Sequence, residues 1–464
     1  MLDTEIIGLV GLGVFFILLA LRAPVALAMI VTGVGGTYAL SLAESYIRFI
    51  PYIKQFKSLL WANVANYDLS VIPLFILMGY LASHTQLAKD LFQGMNVLFG
   101  KFKGGVAVTA IGACAGFGAV SGSSLATAST MGKIALPELD RLGYSPRLAT
   151  GTLAAGGTLG ILIPPSIALI VYATVVQASI IEMFQAALLP GIIAILFFTL
   201  AIIIQVKLKP ALAPLPKPLS KQERNKALIR LIPVVMVFGT IILGLGLGLF
   251  TPTPAAAAGV FIILGYGLFL RTRGKGEGLT LKRLKDSVVQ TASASAMIYF
   301  ILFGAEVLKG FFSRSGLPQA MADMAMHAQI NPWLILIGIL IMFIIFGFFM
   351  ESLAMILVFI PFIWPVLVSL NGGEYVSADS ATFGLNLSDL KIWFGILSLI
   401  VVELGLITPP VGLNVFIISQ ISKKVPMAET FKGVMPFFGA EILRITILLL
   451  APTLVLIIPR WLAG

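Results

Sequence analysis

The sequence predicts an all-α polytopic membrane protein built as an inverted repeat, with two re-entrant hairpins and two broken helices. Three observations carry that prediction. Of 464 residues, 59% are hydrophobic and 11% charged, with a mean hydropathy of +1.03; a soluble domain carries about 25% charged residues. Apolar runs of spanning length recur along the whole chain. Interruptions in those runs recur in the same order in both halves. The net charge of +11 would suit nucleic acid, but the basic residues sit in loops between apolar runs, so no nucleic-acid partner is expected. The single cysteine, Cys114, excludes an intramolecular disulfide and a cysteine-rich metal site.

Asp3 and Glu5 precede the first apolar run and Arg22 follows it. That charge order suits a retained span with its N-terminus outside, not a cleaved leader. Residues 1–67 hold spans at 6–22 and 24–42 and an amphipathic segment at 45–60. There Arg48, Lys54 and Lys57 alternate with Phe49, Phe56 and Trp61, the pattern of an interfacial helix. Residues 68–206 hold a span at 68–84, a hairpin at 104–139, a broken helix at 147–178 and a span at 182–206. Residues 207–230 form a linker with Pro210, Pro214, Pro216, Pro218 and seven Lys/Arg. Residues 231–286 repeat the opening order, with spans at 231–250 and 254–270 and a basic segment at 272–286. Residues 287–464 hold a span at 287–312, a second hairpin at 332–370, a polar loop at 371–390, a second broken helix at 392–422 and a final span at 434–459.

Alternating crossings from an external N-terminus put 22 of the 31 Lys/Arg on the cytoplasmic side and seven outside, with Lys133 and Arg444 at membrane depth. The asymmetry follows the positive-inside rule. It places both termini outside and the linker in the cytoplasm. Two full crossings in place of each hairpin would give the same parity.

The halves match in detail. Pro24 corresponds to Pro254 at an offset of 230, and Phe75–Gly79 to Phe300–Gly304 at 225. Pro137 corresponds to Pro361 at 224, and Pro164-Pro165 to Pro409-Pro410 at 245, the extra residues falling in the 371–390 loop. The repeats start on opposite sides of the membrane. Inverted repeats with paired helix breaks mark secondary transporters with a site near the midplane.

Alone, Ala119–Thr127 reads equally as a hairpin tip or as a kink packed by small residues. A polar tip beside a proline break in both repeats favours the tip. Proline removes an amide donor and frees a carbonyl one turn earlier. Freed carbonyls with Ser and Thr hydroxyls suit sodium, and the helix N-termini beyond the breaks suit a carboxylate. The first sodium site is therefore expected from Ser121, Gly122, Ser123, Ser124, Gly157, Thr158 and Pro164. The second is expected from Gly347, Glu351, Ser352, Gly405, Thr408 and Pro409. Ser123, Thr127, Ser166, Gly412 and Asn414 are the expected substrate contacts.

Glu351 is the sharpest charge at depth, because a carboxylate there is costly. Lys133 and Arg444 read either as anion contacts or as snorkelling cations. His84 and His327 have no partner spacing, so neither a metal pair nor a catalytic pair is expected. Ser121-Gly122 lies outside the Gly-x-Ser-x-Gly pattern, and no phosphate-binding loop occurs, so neither hydrolysis nor ATP use is expected.

Ala-Val-Ser-Gly-Ser-Ser-Leu-Ala-Thr (119–127), Gly-Thr-Leu-Gly-Ile-Leu-Ile-Pro-Pro-Ser (157–166) and Leu-Ile-Thr-Pro-Pro-Val-Gly-Leu-Asn (406–414) together resemble the large membrane subunit of tripartite ATP-independent periplasmic (TRAP) transporters. Ile72–Gly79 and Leu189-Pro190-Gly191 fit as well, and the resemblance covers essentially the whole chain. It implies a sodium-driven elevator in a bacterial inner membrane, in which hairpins and broken helices move against a scaffold of the other spans and arm helices. It also implies a small membrane subunit, expected as a separate chain, and a periplasmic binding protein that delivers a carboxylate. Sodium is the coupling ion and no cofactor is expected. The family pattern usually carries Asp at the second tip, where this chain has Glu351, so the extra methylene alters the expected geometry there. Two other readings stay open: a stand-alone sodium/dicarboxylate symporter, and a non-transporting scaffold or sensor subunit.

Overall fold

The computed structural model describes residues 4–214, 221–246, 248–273, 278–327 and 330–463, and every regular element among them is helical. Seven of these helices are long and apolar enough to cross a membrane, or nine if each of two bent pairs counts as one span.

The first repeat opens with α1 (Thr4–Ala20) and α2 (Val25–Ala43). Two short helices follow, α3 (Phe49–Lys54) and α4 (Phe56–Val64). They bury Tyr52 and expose Ile50, Ile53, Leu60 and Trp61, as suits an arm lying in the membrane interface. Next come α5 (Val71–His84) and α6 (Leu87–Phe99), bent by 72°. The sequence assigns no element between the span at 68–84 and the hairpin at 104–139, where Lys89, Asp90 and Asn96 lower the hydropathy of α6. One face nevertheless buries Leu87, Leu91, Phe92 and Val97. A hairpin follows, α7 (Gly105–Ser121) and α8 (Ser124–Arg141), then α9 (Pro146–Leu162) and α10 (Ile167–Val176), bent by 44°, and the 29-residue α11 (Ile180–Leu208).

The expected linker is partly helical. Its α12 (Lys221–Arg230) packs on α6, with the Arg230 guanidinium 3.2 Å from Asp90. Pro216 and Pro218 lie outside the described residues.

The second repeat comprises α13 (Ile232–Gly246), α14 (Pro252–Thr272), α15 (Leu281–Ser315), α16 (Leu317–His327), α17 (Pro332–Gly347) and α18 (Ser352–Asn371). It continues with α19 (Leu387–Gly405), α20 (Leu413–Ser422), α21 (Met427–Leu450) and α22 (Thr453–Ala463).

Three boundaries correct the sequence reading. Residues 281–286, the end of the basic segment expected at 272–286, are the first turns of the 35-residue α15. Thr280 caps that helix by accepting from Arg283 N at 3.2 Å, and nothing breaks it until Gly316 at φ +73°. The loop expected at 371–390 is shorter, since Asn386 caps α19 by accepting from Asp389 N at 2.9 Å. The final span expected at 434–459 divides at Ala451-Pro452, where proline supplies no amide hydrogen. There α21 ends and the short α22 packs back on α11, held by Arg460 on Asp389 at 2.6 Å.

Burial orders the bundle. All residues of α9 from Leu148 to Leu162 and of α19 from Ile392 to Gly405 are buried. Outer helices instead expose large apolar side chains, such as Leu196 and Leu200 on α11 and Val235 and Leu243 on α13. A helix that is apolar and enclosed all round belongs at the centre, and here the central helices are those that break.

Candidate functional site

At the first tip, Gly122 takes φ +62° and ends α7, a left-handed conformation that glycine adopts without strain. Ser123 then caps α8, its hydroxyl accepting from Ala126 N at 3.4 Å. The hydroxyls of Ser121 and Thr127 lie 2.8 Å apart across the turn. Ser121 Oγ is also 3.3 Å from Gly118 O and 3.4 Å from Ser123 O, so three oxygens surround the Ser121 hydroxyl. The broken helix fits against this tip through Gly160, where a Cβ would stand 2.5 Å from Thr127 Oγ1 and 2.8 Å from Ser123 O.

The second tip repeats the arrangement with different side chains. Residues 348–351 turn between α17 and α18, and Glu351 stands at the cap position of α18 without a capping hydrogen bond. Gly405, on the second broken helix, approaches Gly347 so closely that a Cβ on it would lie 2.7 Å from Gly347 Cα.

One residue joins the two tips. Glu403 of α19, 1% exposed, accepts from Ser352 Oγ at 2.5 Å through one oxygen and from Ser124 Oγ through the other. Ser124 and Ser352 are the first residues of α8 and α18. Sequence reasoning passed over Glu403 although the signal was present: an ionisable residue inside the apolar run 392–405, two residues before a glycine at a helix break.

A cavity of about 600 Å³ opens beside the tips, between them, α5 and α15. Ser121 and Ser123 line it from the first tip and Glu351 from the second, with Lys133, His84 and Gln290 further along the wall. His84 Nδ1 is 2.8 Å from Ser287 Oγ on α15.

The remaining expected site residues do not line this cavity. Thr158 and Ser166 are buried, with Thr158 donating to Ala155 O at 2.7 Å and Ser166 capping α10 by accepting from Leu169 N at 3.4 Å. Pro164 is buried, whereas Pro409 is exposed and Thr408 half-buried, the Thr408 hydroxyl donating to Leu404 O at 2.5 Å. Asn414 is buried and donates to Ala154 O at 3.4 Å. A Cβ on Gly157 would meet its amide nitrogen at 2.9 Å. Gly412 takes φ +55° just before α20.

Arg444 neither snorkels nor reaches the cavity. It is 1% exposed, 2.5 Å from Glu441, and donates to Pro190 O at 3.2 Å. Among the described residues no group of three or more His, Cys, Asp or Glu is placed to hold a metal ion.

The family model described as tripartite ATP-independent periplasmic transporter, DctM component, matches residues 12–454. A Pseudomonas aeruginosa C4-dicarboxylate TRAP transporter large permease protein is 30% identical over 405 residues, 87% of this chain and 88% of the relative. A Vibrio cholerae sialic acid TRAP transporter large permease protein is 27% identical over 406 residues, 87% and 88% of the two chains. The solved YdaH transporter of Alcanivorax borkumensis shares the fold at a TM-score of 0.58 and 13% identity, over 89% of this chain and 90% of that one. These relatives are membrane permeases rather than enzymes. The chain belongs to the DctM family, the large permease component of tripartite ATP-independent periplasmic transporters.

Proposed function

We propose that the chain carries an organic acid into the cytoplasm in symport with sodium, as the moving and scaffolding permease of a three-part system. The observation that carries this reading is the shared cavity wall: Ser121 and Ser123 from one repeat line the same space as Glu351 from the other. The cluster of hydroxyl and carbonyl oxygens around Ser121 at the first tip suits a small hard cation. Glu351 supplies negative charge to a second cation position. Lys133 and the N-terminus of α8 favour an anionic cargo between them. The reported relatives are named for C4-dicarboxylates and sialic acid, both acids, which supports a carboxylate as cargo.

In this reading the hairpins and broken helices move as an elevator against the arm and outer spans. A separate small membrane subunit extends that scaffold, and a periplasmic binding protein delivers the cargo. With both termini periplasmic, the cavity mouth near His84 and Lys133 lies toward the cytoplasm, the side favoured by 22 of the 31 Lys/Arg. A stand-alone symporter with the same architecture would transport without partners.

The test is thermal unfolding of the purified chain in sodium and in potassium at equal ionic strength. Sodium-specific stabilisation that disappears in Ser121→Ala is the expected result. Equal stability in both salts would overturn the sodium assignment.

A further inference from the structure

We propose that Glu403 is a positioning residue that ties the two hairpin tips together, so that a disturbance at the tip of one repeat is felt at the other. The contacts are specific. One carboxylate receives a hydroxyl from Ser124 and another from Ser352, residues 279 and 51 positions away, each opening the returning helix of its hairpin. The carboxylate itself is enclosed, at 1% exposure.

The device breaks the symmetry of the fold. The offset of 245 that relates Pro164 to Pro409 relates Thr158 to Glu403. Thr158 turns its hydroxyl onto its own helix, donating to Ala155 O at 2.7 Å rather than to a tip serine. The bridge is therefore a property of this one residue rather than of the repeat. Gly405, two residues on, holds the same stretch of α19 against Gly347, so Glu403 is carried on a helix already fixed to the second hairpin.

Each oxygen of the carboxylate accepts one serine hydroxyl, so a single side-chain group holds both tips. Glutamine in its place keeps both contacts only by reversing one of them. Leucine keeps neither.

Hydrogen exchange of the backbone amides opening α18, at Leu353, Ala354 and Met355, reads the coupling directly in the purified full chain. Ser124→Ala lies on the first hairpin and removes one arm of the bridge. It is expected to raise exchange at those amides about tenfold, the order of one buried hydrogen bond. Glu403→Leu should do the same or more, with Glu403→Gln in between. Ser123→Ala removes a hydroxyl that caps α8, and should loosen the first tip while leaving Leu353–Met355 at wild-type rates. Unchanged exchange at α18 in Ser124→Ala would overturn the proposal. So would an equal rise in Ser123→Ala. The measurement needs neither sodium nor cargo, so failure of the transport reading and failure of this one are told apart.

Discussion

Gly118 and Gly160 meet with no room for a side chain: a Cβ on Gly118 would stand 2.4 Å from Gly160 Cα. The pair recurs in the second repeat as Gly347 and Gly405, at offsets of 229 and 245. Each broken helix thus receives the first helix of its own hairpin at backbone distance. This contact sets where the tips stand and how the two halves of the candidate site face one another.

Gly160→Ala and Gly405→Ala are expected to destabilise the protein by about 1–3 kcal/mol, the usual cost of overpacking. Gly338, on α17, has nothing within 4 Å of an added Cβ. Gly338→Ala should then stay within about 0.5 kcal/mol of wild type. Thermal unfolding in detergent measures all three.

The Glu441–Arg444 pair, 2.5 Å apart and buried, serves the bundle rather than the cargo. Arg444→Leu alone should cost about 3–5 kcal/mol, because it strands a buried carboxylate. Glu441→Leu combined with Arg444→Leu should recover most of that loss. A double variant as unstable as the single would show that Arg444 acts through Pro190 instead, whose carbonyl it bonds at 3.2 Å.

Lys133 lines the cavity but stands apart from both tips. Lys133→Gln should raise the KM for an anionic cargo up to about fivefold, the scale of a solvent-accessible ion pair, with little change in maximal rate. The difference should shrink as salt is added. Initial uptake rates at several cargo concentrations and two ionic strengths decide it.

Thr127 completes the oxygen cluster on Ser121 at 2.8 Å. Thr127→Val keeps the shape and removes the hydroxyl, and should weaken apparent sodium affinity about tenfold, in line with one lost oxygen contact. Gel filtration should show unchanged assembly. A sodium titration of uptake measures the affinity.

The helical membrane fold was legible in the sequence because hydropathy and the spacing of Gly and Pro are local properties. Ser121, Ser123 and Glu351 could be read the same way, as polar residues among apolar ones, and they lie on the cavity wall. Elements that depend on tertiary packing were not legible. Helix α6 hides behind Lys89 and Asp90, and α15 runs unbroken from a basic stretch that hydropathy leaves outside the span. Glu403 is a different case. Its neighbours are all apolar, so it stood out as a charge, but its partners lie 279 and 51 residues away and only the fold brings them to it. Arg444 had its partner three residues upstream, a spacing that reads as a helical ion pair and accounts for its position without a ligand.

The most direct test is uptake into proteoliposomes holding the chain with its small membrane subunit, the cognate binding protein and a labelled C4-dicarboxylate or sialic acid outside. An inward sodium gradient should drive accumulation, and replacing sodium with potassium or omitting the binding protein should abolish it. Accumulation that persists in potassium, or without the binding protein, would contradict the account.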